Sequence, residues 1–68
     1  MTSNTLRFWD PVIAKRFEEF CLVNPPAGQK KYYDQDEKQF VYTNYFDTIT
    51  QRTKFVADWA SLTIKKEQ

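Results

Sequence analysis

A chain of 68 residues with a single cysteine and no histidine cannot be stapled by an internal disulfide or by the common zinc frameworks. Those frameworks need paired Cys and His ligands, and Cys21 has no partner of either kind. At this length apolar burial barely exceeds the conformational entropy of ordering the chain, so stability has to come from unusually effective packing or from a partner. The packing resource is aromatic: six Phe, four Tyr and two Trp make up 18% of the residues. Each such ring buries a large area. One small domain spanning residues 1–68 is therefore expected, since no second core can be built.

Ten Lys or Arg against nine Asp or Glu give a net charge of +1. A chain this close to neutral sets up no strong field toward nucleic acid or acidic membrane. The stretch Met1 to Asp10 holds one Arg and no apolar h-region, so a secretory signal is not expected. No apolar run approaches the roughly 20 residues that cross a bilayer, and a free thiol fits a reducing compartment. A cytoplasmic location and no membrane contact follow as expectations.

Local signals divide the chain. Thr5 to Trp9 (TLRFW) is rich in strand formers and reads as a short edge strand. Asp10-Pro11 is a helix start, because Asp accepts from the first free amides and Pro tolerates the first helical position. Val12, Ile13, Phe17, Phe20 and Cys21 then recur at helical spacing, which predicts a helix over about 11–22. Asn24-Pro25-Pro26-Ala27-Gly28 breaks it.

Lys30 to Asp34 and Gln39 to Phe46 are β-rich runs separated by the polar Gln35 to Lys38, a β-hairpin pattern. If Asp34 pairs with Gln39, alternation puts Tyr33, Phe40, Tyr42 and Phe46 on one face. Tyr32, Val41 and Tyr45 fall on the other, with Lys30 and Thr43. The first set carries both Phe residues and is assigned to the core. From Thr53, a plausible cap, Phe55, Val56, Trp59, Ala60 and Ile64 predict a second helix over about 53–66, with Lys65-Lys66 at the negative end of its dipole. Residues 47–52 fit either a third strand or an earlier start of that helix. The fold class expected is α+β: an N-terminal helix, a hairpin that could extend to three strands, and a C-terminal helix.

Motifs that carry chemistry are missing. Without His the common nucleophile–base pairs are closed, and Cys21 ends an apolar helical face where a thiol packs as a small hydrophobe. An EF-hand loop counted from Asp34 would need Gly and Glu where Gln39 and Tyr45 stand. Phosphate-binding loops need several glycines, and the chain has one. Glu18 and Glu19 diverge by about 100° on a helix and are no acid–base pair. Pro25-Pro26, the Tyr pairs and Thr48 to Gln51 resemble fragments of a WW domain. That family's signature Trp and closing aromatic-Pro are unfilled here, with Gln29 and Lys30 after Gly28 and Arg52 after Gln51, so the resemblance fails.

The expectation is then a non-enzymatic protein-binding module without cofactor or metal, acting stoichiometrically as a regulator, inhibitor or accessory subunit. Aromatic residues in excess of what so short a chain can bury supply interface anchors. Tyr32, Val41, Tyr45 and Lys30 are the candidate partner-binding residues. The alternative is single-stranded RNA or DNA binding through the Tyr-rich sheet face, with Lys30, Lys31 and Lys38 beside the rings; interleaved Asp34, Asp36 and Glu37 weigh against it. Exposed sheet edges also leave self-association open.

Overall fold

Asp10 does start a helix: its Oδ1 accepts from the Val12 amide at 2.9 Å and Pro11 occupies the first turn. The computed structural model describes residues 1–66, and side chains through residue 62. Along the chain come β1 (Thr2–Phe8), α1 (Pro11–Val23), β2 (Gly28–Asp34), β3 (Gln39–Phe46) and α2 (Ile49–Lys66), an α+β fold. The sheet is antiparallel with order β1-β3-β2, so β3 is the only strand paired on both sides.

The hairpin register is the one alternation implied, Asp34 opposite Gln39 and Tyr32 opposite Val41. Its turn closes through Asp34 Oδ1, which accepts from the amides of Asp36 at 3.0 Å and Glu37 at 3.2 Å, and through Lys38 at φ 57°. The third strand is β1, not residues 47–52. It runs from Thr2 opposite Phe46 to Phe8 opposite Phe40, longer at its start than the apolar alternation of Thr5 to Trp9 suggests. Pairing with β3 satisfies the backbone of the polar residues Thr2 to Asn4, which pattern alone does not mark as strand. Trp9 falls outside the strand and is exposed.

Residues 49–52 belong to α2, and Thr53 is not its cap. Thr48 is: its hydroxyl accepts from the Gln51 amide at 3.1 Å, while the Gln51 side chain accepts from the amides of Asp47 and Thr48. This reciprocal box satisfies several of the amides a helix start leaves bare. The assignments of Ile64 to the apolar face and of Lys65-Lys66 to the helix dipole lie outside the described side chains.

Both helices pack on one face of the sheet. Phe17 of α1 is fully buried, with ring centroids 5.3 Å from Phe8, 5.1 Å from Tyr42, 5.9 Å from Phe55 and 5.2 Å from Trp59. Phe46 meets Phe55 at 5.1 Å, and Ala14 and Phe20 complete the buried cluster. Phe40 lies at the margin, half-buried and edge-on to Tyr33 at 4.9 Å. Across the same face runs a row of amides: Asn44, fully buried, donates to Asn4 Oδ1 at 3.1 Å and accepts from Gln29 Nε2 at 2.7 Å. Truncating a buried Phe typically costs about 3–5 kcal/mol, a large share of what a small domain has. Phe17→Ala should therefore lose most of the cooperative unfolding transition in denaturant melts, and Phe40→Ala distinctly less of it.

Candidate functional site

The opposite face of the sheet carries no helix. Cross-strand register arranges it in rows: Arg7, Val41 and Tyr32; Thr5, Thr43 and Lys30; Ser3, Tyr45 and Gly28. All of the sequence-predicted residues, Tyr32, Val41, Tyr45 and Lys30, thus share this face, but they do not form one aromatic patch. Val41 is only 1% exposed although no helix covers it, and it is not part of the helix-side cluster. It sits between Arg7 and Tyr32, whose long side chains flank it from both neighbouring strands.

Tyr32 is the open ring, 56% exposed. Tyr45 is half-buried because it lies against Gly28, where a Cβ would stand 3.7 Å from the Tyr45 ring. That is ordinary van der Waals distance, so the ring lies directly over the Gly28 backbone. Tyr45 stands four positions beyond Val41, about 13 Å along an extended strand, and the Thr43–Lys30 row lies between them. Past Tyr32, Arg7 Nη1 reaches Asp34 Oδ2 at 3.5 Å and Gln39 Oε1 at 3.4 Å, bridging all three strands at that end. Thr5 and Thr43 share a hydroxyl contact at 3.3 Å. Sequence reasoning missed the contribution of Ser3, Thr5 and Arg7, because nothing in a short apolar-alternating arm tells which strand it will join.

The face therefore offers one exposed ring, one half-buried ring, hydroxyls and near-balanced charge on a three-stranded sheet. It can present contacts; it holds no paired acid and base. Among the described residues no group of three or more His, Cys, Asp or Glu could hold a metal ion. No helix among them is long and apolar enough to cross a membrane. Comparison with known protein families, with curated proteins and with solved structures found no match to this chain.

The perturbed groups all lie on the helix side. Burial pushes the Cys21 thiol above its usual range, against a weak contact from Gln29 Nε2 at 3.4 Å, which makes it a poor nucleophile. Tyr42 is raised well above the ordinary phenol range, first by burial and then by donating to Glu18 Oε2 at 2.7 Å. That hydrogen bond is also the main reason Glu18 titrates below its usual value, with Lys31 at 3.5 Å adding attraction. The pair ties α1 to β3.

A carboxyl whose folded-state pKa is depressed stabilises the fold above its unfolded value and stops doing so as pH falls through the folded one. Glu18 is half exposed, so the contribution is modest. Thermal melts taken from neutral pH to below the usual carboxylate value of 4.5 should show Glu18→Gln less stable than wild type at neutral pH, with the difference closing in acid. A constant difference across that range would mean that the carboxylate does not carry the tie.

Proposed function

We propose that this chain acts by stoichiometric binding of another protein, as a regulator, inhibitor or accessory subunit, through the helix-free face of its sheet and without chemistry of its own. The observation that supports this is the placement of Tyr32: more than half exposed, on a hydrogen-bonded strand, beside a Val41 whose surface is already removed from water. A tyrosine so held provides contact area with few rotors to freeze, the usual character of an interface anchor. Lys30 and the Arg7–Asp34 pair form a polar rim around it.

Charge favours protein over nucleic acid as the partner. Arg7 is engaged with Asp34, which leaves Lys30 as the cation of this face without an ion pair among the described residues. A strand of phosphates would find few contacts there, and so little counterion release. The two Tyr rings are also unequal, one open and one seated against Gly28, where a stacking platform presents successive open rings.

The test is an affinity pull-down from native lysate with and without nuclease, followed by binding measurements on Tyr32→Ala. A stoichiometric protein partner that survives nuclease and loses about 2 kcal/mol of affinity with Tyr32→Ala is the expected result. Tyr32→Ala should lower the melting transition only modestly, by uncovering one flank of Val41, and Tyr45→Ala should lower it as well by removing the contact over Gly28. Recovery that depends on nucleic acid, or a partner indifferent to Tyr32→Ala, would overturn the reading.

A further inference from the structure

The edge of the sheet formed by β2 meets α1 only through side chains, Lys31 with Glu18 at 3.5 Å and Gln29 with Cys21 at 3.4 Å, and its outward backbone pairs with no strand among the described residues. Both helices pack nearest β1 and β3, and Arg52 of α2 holds Thr2 of β1 through a hydrogen bond of 2.9 Å. Gln29 to Tyr33 of β2 are all exposed, and β2 pairs with β3 alone. Such an edge is a template for another strand. Its sequence, Lys30-Lys31-Tyr32-Tyr33-Asp34, runs from positive to negative, so it complements its own reverse.

We propose that the protein forms a two-fold dimer by antiparallel pairing of β2 with β2 of a second copy, centred on Tyr32. Symmetry and charge together select that register. A two-fold axis that joins two antiparallel edge strands stands perpendicular to the sheet, so both copies keep their helices on the same side. Directly opposed residues project to the same side, so the pairing has to be centred on a residue and not between two.

Centring on Lys30 or Lys31 sets an ammonium against its own copy, which is unfavourable for directly opposed positions. Centring on Tyr33 draws the pairing into the turn, where Asp34 Oδ1 already binds the amides of Asp36 and Glu37. Centring on Tyr32 opposes each Lys30 to the other copy's Asp34 on the helix-free face. The two Tyr32 rings then meet at the axis. On the helix side each Lys31, which lies 3.5 Å from Glu18 of its own copy, faces the other copy's Tyr33, a ring 47% exposed. Asp34 Oδ2 already holds Arg7 at 3.5 Å, and Lys30 of the other copy would add a second cation to the same carboxylate.

Of the registers centred on Lys30, Lys31, Tyr32 or Tyr33, the lysines that guard this edge against indiscriminate pairing thus favour the one centred on Tyr32. The result is one continuous sheet of twice the width, with the helix-free faces of the two copies side by side. This goes beyond binding of a different protein and stands or falls separately from it, because it needs only the purified chain.

Sedimentation equilibrium of the wild-type protein over a concentration series should show a reversible monomer–dimer exchange. Lys30→Glu turns both attractive pairs into repulsive ones and should weaken the dimer about tenfold; Asp34→Asn, which keeps the turn's acceptor, should weaken it less. In a Cys21→Ser background, Tyr32→Cys should cross-link the two copies on mild oxidation while Gln29→Cys should not, because only position 32 meets itself at disulfide distance. A wild-type protein that stays monomeric at millimolar concentration overturns the proposal. So does a dimer whose affinity is unchanged by Lys30→Glu, or one that cross-links at position 29 and not at 32.

Discussion

Phe17 is where the molecule is joined. Its ring touches β1 through Phe8, β3 through Tyr42 and α2 through Phe55 and Trp59, all with centroids within 6 Å. Tilted and edge-on ring contacts of this kind add to the area they bury. With one cysteine the chain forms no internal disulfide, and these contacts join both helices to β1 and β3. Committing the large rings to one side of the sheet also decides the other side. It receives no helix, and its rows are finished by flanking side chains instead of by a second layer.

Polar contacts set which side is which. A one-residue slip of β3 would turn Phe40, Tyr42, Asn44 and Phe46 outward and bring Val41, Thr43 and Tyr45 against the helices. The row Asn4, Asn44, Gln29 opposes such a slip, since Asn44 is satisfied on both sides only when those three residues are aligned. Leaving a buried amide unpaired costs about 1–3 kcal/mol. The hydrogen bond from Tyr42 to Glu18 acts in the same direction from the helix side. Register, and with it the composition of the bare face, is therefore held by groups that lie on the covered one.

Much of this was legible where the information is local. Asp10-Pro11 marks a helix start by its own chemistry, and Asp34 opposite Gln39 follows from two β-rich runs around a polar turn. Alternation then sorts Tyr33, Phe40, Tyr42 and Phe46 from Tyr32, Val41 and Tyr45, as the structure does. What depended on distant partners was not legible. The true extent of β1 rests on pairing with β3 some forty residues away. The start of α2 was carried by a local signal, Thr48 and Gln51 at capping-box spacing, that a later Thr obscured. The burial of Val41 depends on Arg7, which sequence alternation within the hairpin does not contain. Of the candidate site, the hairpin's share of the face was readable; the share of β1 and the relief of the face were not.

Both helices lie on one side of the sheet, and Val41, though buried, lies on the other. Nuclear Overhauser contacts of the Val41 methyls in the dilute protein test it most directly. The account predicts contacts to the side chains of Arg7 and Tyr32 and none to Phe17, Phe20 or Phe55. Val41 methyl contacts to any of those three rings would contradict it, since they would put the helices over the face described here as bare.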